Sequence, residues 1–408
     1  MRIDRAPTPV STADMSVTLW LHPANLADCA KGVGIRFRRA VRGHTRLPGS
    51  AAEIVEAGVD STWNGRSFTA SPAHFNTFWV RDMSFSAPAL ARLGGRHAQR
   101  LHSSLAWALD GWDRRRRHIT TTFHAFGHPA DVYDYGVDSL PLFVGALRAA
   151  EATDLVARHR SWLEAEINHY VDRVVDPATG LVRDDRKYSA HRDTVTNRSN
   201  AYGNSMVALL AKNLADPTTG FDLPNPLARH FPDGDWGHLL RDRFWMADRG
   251  CYRDAIGSDA TTGEANIWPF WTGVETCPEM LGTALQTLER EGYTAPYPLR
   301  YETARRPERE VWLTRHLLPD YQGSSVWTSL GAMYLALLNT VDPVKAAHET
   351  GRYRAWIERD GTYWEVLDDA GRCWVGRHRL MVGEESMLWG AIFLDHLRHS
   401  EAGPAVLS

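Results

Sequence analysis

Apolar positions in this chain fall into two kinds of run. One kind is apolar nearly all round and rich in Ala, Gly and Ser. It occurs six times: RDMSFSAPALARLG from Arg81, YGVDSLPLFVGALRAA from Tyr135, NRSNAYGNSMVALLAKNLA from Asn197, ANIWPFWTGVETCPEMLGTALQTL from Ala265, GSSVWTSLGAMYLALLNT from Gly323 and GEESMLWGAIFLDHL from Gly383. The other kind sets charges opposite its apolar positions at helical spacing, as in RHAQRLHSSLAWALDGW, RSWLEAEINHYVDRVV, DWGHLLRDRFW and KAAHETGRYRAWIERDG. A helix apolar all round belongs inside, and an amphipathic one keeps a wet face. Recurrence of the first kind at intervals of roughly 50–70 residues marks stacked helical hairpins.

The expected fold is therefore all-α. Six inner and six outer helices alternate and close into an (α/α)6 toroid. An α-solenoid would repeat its own residues, whereas here each inner run opens on a different polar set, as loops around one shared pocket would. Strand-like pieces are few; GTYWEVLDDAGRCWVGR (361–377) alternates around a turn and predicts a short β-hairpin before the last helix. Residues 1–50 are weakly patterned and are assigned an N-terminal extension and the first outer helix. Residues 51–400 form one barrel domain, and 401–408 a tail. Ser86 with Pro88, and Asp138 or Ser139 with Pro141, read as helix starts. That places Arg81, Asp82 and Asp138 in loops that feed inner helices.

Composition narrows the partners. The chain has 408 residues, 43% of them hydrophobic, enough for a large core, and a formal net charge of −3 that points to no nucleic acid. The basic run Arg114–Arg117 reads as a solvated helix end. Cys29, Cys251, Cys277 and Cys373 lie far apart with no CxxC pattern, so reduced thiols and a cytoplasmic location are expected. The N-terminus lacks an apolar signal core and no apolar run is long enough to span a bilayer, so no membrane partner is expected. Sixteen Trp residues are a high count. Their flat faces suit the C–H faces of sugar rings as well as core packing.

Candidate chemistry concentrates in the loops before the inner runs. FNTFWVRDMSF (75–85) sets Arg81 and Asp82 side by side among bulky apolar groups, where a charge needs a partner or a task. The pair is either a buried brace for the first inner helix or a clamp on the hydroxyls of a polar ligand. Trp79, Tyr135, Asn197, Asn200, Asn266, Trp268, Trp271 and Trp327 are expected to join it in a pocket of amides and aromatic faces suited to a carbohydrate. Cleaving a glycosidic bond takes two carboxyl groups. Asp138, Glu384 and Glu385 are the best placed, with Glu264 competing for the acid role. Each has a plainer reading: Asp138 as an N-cap, the glutamates as first-turn carboxylates, Glu264 as a turn residue. Asp138 enters from the second inner loop and Glu385 from the sixth, so they should face each other across the mouth. His124, His128, Asp131, Asp134 and Asp138 match no common metal template. No nucleotide loop and no GxSxG elbow occurs, and no cofactor is implied.

FWVRDMSF resembles the Trp-x-Arg-Asp element of glucoamylase-like glycosidases, which implies a sugar-binding role for Arg81 and Asp82. YGVDSLPLF resembles the Gly-x-Asp-x-x-Pro stretch of the trehalase and processing-glucosidase families, which implies that Asp138 is the general acid. GEESMLW stands where those families place the base. The Trp-Glu-Glu acid of glucoamylases has no counterpart in TNRSNAYGNS (196–205). These readings converge on an inverting glycoside hydrolase for a small glycoside or an oligosaccharide end. A sugar epimerase or isomerase, or a polysaccharide lyase, would need a His or Tyr to abstract a carbon-bound proton; His124, His128 and Tyr135 are the candidates. A non-catalytic glycan-binding barrel is the third reading.

Overall fold

The computed structural model describes residues 30, 34–35, 37–39, 41–123, 127–132, 134–217, 220–377 and 381–401. Most of the expected extension in residues 1–50 lies outside these. Among the described residues, six helices form an inner set: Val80–Leu93, Ser139–Ala149, Ala201–Ala215, Gly263–Trp271, Thr328–Val341 and Gly390–Glu401. Each packs on the next, and the sixth packs back on the first, so the contacts close into a cycle. Their sequences explain the placement. The third inner helix is buried without a break from Ala201 to Ala211, and the fifth from Thr328 to Leu335.

The outer set is Ala51–Ser61, Gly95–Arg115, Arg160–Val174, His238–Phe244, Pro278–Arg290 and Pro343–Asp360. In Gly95–Arg115 the buried positions include His97, Leu101, Ser104, Leu105, Ala108 and Trp112, a single stripe at helical period. Arg114 and Arg115 end that helix and Arg116 caps it in the left-handed conformation, so the basic run is a helix end as expected. Cys251, Cys277 and Cys373 are free thiols. No helix among the described residues is long and apolar enough to cross a membrane.

Short strand pairs set where the inner helices begin. Phe78–Trp79 pairs with Thr122–Phe123, and Val326–Trp327 with Val366–Leu367. The expected hairpin is present in this second pair's segment: Asp368 to Arg372 closes the turn, with bridges Leu367 to Cys373 and Val375 to Val382. The first pair corrects one expectation. The Val80 amide donates to the Thr121 carbonyl at 2.9 Å, and the helix starts there rather than at Ser86. Arg81 and Asp82 are thus in its first turn, Pro88 lies inside it, and the Ser86 hydroxyl donates back to the Asp82 carbonyl at 2.6 Å. Tertiary strand pairing has overridden a local start signal. Asp138 holds the N-cap position of the second inner helix, but its side chain does not cap.

The fifth hairpin shows how tightly the two sets fit. A Cβ on Gly331 would overlap the Tyr353 hydroxyl and the Pro298 carbonyl oxygen, which are hydrogen-bonded to each other. Gly331→Ala is therefore expected to cost about 1–3 kcal/mol, the usual penalty of overpacking. Urea unfolding measures it; a change within about 0.5 kcal/mol of zero, typical of a neutral surface substitution, would contradict this packing.

Candidate functional site

The site is built around Arg81. Pinned in the first turn of its helix, the guanidinium donates from Nε to Asp138 Oδ2 at 2.7 Å, from Nη1 to Asp193 Oδ1 at 2.6 Å and from Nη2 to Ser189 Oγ at 3.0 Å. Ser189 Oγ donates on to Asp193 Oδ1 at 2.8 Å, and the Tyr202 hydroxyl to Asp138 Oδ2 at 2.7 Å. Burial alone would lower the Arg81 pKa, but the charges of Asp138 and Asp193 outweigh it and raise it. All three of its nitrogens are committed to protein groups, so of the two readings of this arginine the brace describes its geometry.

Its neighbour Asp82 is different. Apart from its own backbone amide, its carboxylate has no hydrogen-bond partner among the described residues, and the residue keeps 9% of its surface exposed. Burial raises its pKa to about 7; the Arg81 charge opposes the rise and Asp193 adds to it. Asp193 has one oxygen anchored by Arg81 and Ser189 and a side chain 20% exposed. Its pKa is also raised, chiefly by burial.

More carboxyl groups converge from the sixth loop. Glu365 accepts from the Tyr321 hydroxyl and, through Oε2, from the Glu384 amide at 2.9 Å. Burial pushes its pKa up to about 8, with Glu384 and Asp82 adding to the rise. Glu384 Oε2 accepts from Ser71 Oγ and the His74 amide, each at 3.1 Å, and Arg39 Nη2 lies 3.4 Å from its Oε1. Its pKa is raised by burial against the Arg39 charge. Glu385 shares Arg39 with it, Oε1 lying 3.5 Å from the same Nη2, while Oε2 takes the Thr45 amide at 2.8 Å and Oε1 the Thr45 hydroxyl at 3.3 Å.

Aromatic rings close the bottom of this cluster. Phe85 meets His191 and Trp268 edge-on and leans on Trp389. Trp327 packs against Tyr301, Tyr321 and Trp389. His191 lies among Tyr202, Trp268 and Tyr301, and burial lowers its pKa to about 3, so it is neutral. Glu264 sits beside it, with Oε2 3.7 Å from His191 Nδ1 and without a hydrogen-bond partner among the described residues. Burial raises the Glu264 pKa to about 8. A set of crowded carboxyl groups that titrate near neutrality, above flat aromatic faces, can exchange protons with a polyhydroxylated ligand and hold it by its hydroxyls.

The residues named from sequence divide accordingly. Arg81, Asp82, Asp138 and Glu384 belong to the cluster, and Trp268 and Trp327 to its floor. Asp138 is fully buried, with Oδ2 held by Arg81 and Tyr202 and Oδ1 without a hydrogen-bond partner among the described residues, and Glu385 is held by Thr45 and lies 3.5 Å from Arg39 Nη2. Trp79 is half-buried and edge-on to Phe75. Tyr135 packs away from the cluster, against His169, Tyr170 and Arg173 of the third outer helix. Asn266 is a strut that bonds Tyr252, Thr261 and Thr262. Trp271 ends the fourth inner helix, about 12 Å of helix rise from its loop end. Asn197 holds the Arg192 and Val195 carbonyls, and Asn200 caps the third inner helix through Gly203. Of the metal-candidate set, Asp131 pairs with His118 Nε2 at 2.6 Å, and His124 lies outside the described residues.

Asp193, Glu365, His191, Tyr202, Tyr321 and Arg39 were not found from sequence. Two had a usable signal. Asp193 stands just upstream of TNRSNAYGNS, and Glu365 is a lone charge inside TYWEVL, the same signature that marks Arg81–Asp82.

A scan against family models gives no match, and no curated protein matches the sequence significantly. Solved structures do match in fold. A glycosidase variant in complex with glucose superposes with TM-score 0.63 at 13% identity, covering 87% of this chain and 98% of that one. The family 63 mannosylglycerate hydrolase from Thermus thermophilus, in complex with Tris and D-glycerate, gives 0.58 at 15% identity, covering 85% of this chain and 100% of that one. A rhamnosidase from Klebsiella oxytoca with rhamnose bound gives 0.58 at 14% identity over 87% of this chain, which spans 66% of the rhamnosidase's length. The fold is that of these glycosidases.

The two members of the Arg81–Asp82 pair should respond oppositely to substitution. Arg81→Gln strands buried Asp138 and Asp193 and is expected to cost about 3–5 kcal/mol. Burial raises the folded pKa of Asp82 to about 7, from an ordinary value of 3.8. Its protonated form therefore stabilises the fold fully below the unfolded value, and that stabilisation is lost as pH rises through the folded one. Between about pH 4 and about pH 7 this contributes a loss of up to about 1.4 kcal/mol per pH unit. Urea unfolding across that range should show a shallower decline for Asp82→Asn than for the wild type. Parallel profiles would contradict the raised pKa.

Proposed function

We propose that this chain is an inverting glycoside hydrolase whose helices form an (α/α)6 barrel spanning residues 51–400, preceded by an extension and followed by a short tail. The observation that carries this reading is the buried carboxyl cluster at the loop ends of the inner helices, laid over an aromatic floor, in which the Asp82 carboxylate bonds nothing but its own amide among the described residues. The shared fold with glycosidases, among them ones holding glucose and rhamnose, supports the same substrate class.

Roles follow from which carboxyl oxygens are free. Asp82 accepts hydrogen bonds from hydroxyls of the sugar at the non-reducing end. Asp138 is fully buried; its Oδ2 is held by Arg81 and Tyr202, its Oδ1 has no hydrogen-bond partner among the described residues, and it orients Arg81 and through it Asp193. Asp193, with one oxygen anchored, the side chain partly exposed and a raised pKa, is the general acid that protonates the leaving oxygen. Glu384 is the base that activates water through Oε1, which takes no hydrogen bond among the described residues and only lies 3.4 Å from Arg39, whereas both oxygens of Glu385 are taken by Thr45. Inversion places a water between base and anomeric carbon, which needs carboxyl groups roughly 6.5–9.5 Å apart. An epimerase or lyase reading draws less support, because its candidate Tyr135 packs on the third outer helix and both ring nitrogens of His191, the histidine at the cluster, are engaged by Trp268 and Tyr301.

A panel of aryl glycosides and disaccharides tests the reading, with NMR of the first-formed anomer. Hydrolysis with inverted configuration is expected. Asp193→Asn and Glu384→Gln should each lose on the order of 10²-fold or more in rate, and a good leaving group should partly restore only the first. Retained configuration, or near wild-type turnover by Asp193→Asn, would overturn these roles.

A further inference from the structure

A cavity of about 510 Å³ opens among the loops that lead into the inner helices. Small-molecule sites run from roughly 300 to 1,000 Å³, so it has the size of a ligand site. Its walls come from the loops before the third, fourth and fifth inner helices. Asn200 caps the third. Asp254 receives the Ala201 amide on its carbonyl at 2.9 Å and the hydroxyl of Thr262, the cap of the fourth, on its carboxylate at 3.4 Å. Arg306 and Arg309 come from the segment before the fifth. The cavity thus lies at the same helix ends as Arg81 and Asp82.

One stretch of chain separates the two places. Asp193 belongs to the cluster; Asn197 and Asn200, a few residues on, line the cavity. Asn197 Nδ2 donates at 2.8 Å to the carbonyl of Arg192, the residue before Asp193. A general acid protonates the oxygen that leaves, so the leaving half of a substrate must lie on the acid's side. With Asp193 as that acid, the cavity reached along residues 193–200 is where the leaving half goes.

The lining defines its chemistry. Among the described residues, Arg198 donates only to the Asp184 carbonyl, at 2.7 Å, and Arg306 reaches Glu302 only at 3.5 Å, so both have N–H groups left for hydroxyl oxygens. Arg309 is neutralised by Asp254 at 2.6 Å. Asp176 and Asp184 add negative charge to the wall, which disfavours an anionic group. Ile256, 51% exposed, offers an apolar face to ring carbons. We propose that this cavity binds a neutral sugar unit on the leaving-group side, so that the substrate is an oligosaccharide and not a simple glycoside. The proposal rests on the hydrolase reading and names its substrate class.

The test compares aryl monoglycosides with gluco- and manno-oligosaccharides of two to four units. For the wild type, kcat/KM should rise about tenfold or more when a sugar replaces the aryl group. Ser258→Trp, which fills the cavity, and Ile256→Glu, at an exposed position, should abolish that gain through KM while aryl glycoside turnover is unchanged. Chain-length independence in the wild type, or equal losses on both substrate types, would overturn the proposal. If no glycoside is hydrolysed, the hydrolase reading fails, and calorimetric titration with the same oligosaccharides still decides on the cavity. Binding by the wild type that Ser258→Trp weakens at least tenfold upholds it, and equal or absent binding overturns it.

Discussion

A single buried guanidinium, Arg81, ties three hairpins together. It leaves the first inner helix, meets Asp138 at the start of the second, and reaches Asp193 and Ser189 in the loop before the third. Burying such a group is tolerable only when its charge is balanced and its N–H groups are bonded. Both conditions are met here by residues from separate hairpins. The loops can therefore take only arrangements that bring those partners together, and the position of every other polar group at the centre follows.

Once Arg81 is committed, the cluster holds more carboxyl groups than it has nearby cations to balance them. Asp82, Glu365 and Glu264 respond by holding their protons toward neutrality, each mainly because it is buried. Those protons make the site chemically useful, since a carboxyl group that changes state near pH 7 can both give and accept a proton. The same crowding makes the empty site costly to ionise. A ligand that supplies hydroxyl donors to Asp82 would relieve part of that cost, which couples binding to protonation.

The architecture was legible because it is written in long repeats. An inner helix buried over eleven consecutive residues, Ala201 to Ala211, cannot be mistaken for a surface helix. The site was less legible. Arg81 and Asp82 stood out because charge in an apolar run is conspicuous, but nothing local says that Arg81 would be used up by Asp138 and Asp193 while Asp82, among the described residues, bonds only its own amide. Asp138 looked like a cap because the sequence shows where a side chain attaches and not where it turns. Tyr135 and Trp271 were placed by nearness to a loop or a helix, yet one packs outward on the third outer helix and the other lies at the far end of its own. Such outcomes depend on contacts between residues far apart in the chain, which no window along it contains.

The central claim is that Asp82 is the carboxyl group left open to a ligand. NMR of protein selectively labelled with ¹³C at aspartate carboxyl carbons, titrated with pH and assigned through Asp82→Asn, measures it directly. The account predicts a titration near pH 7, and a shift of that midpoint when a bound monosaccharide is added. An Asp82 that titrates near its ordinary value of 3.8, indifferent to sugar, would contradict it.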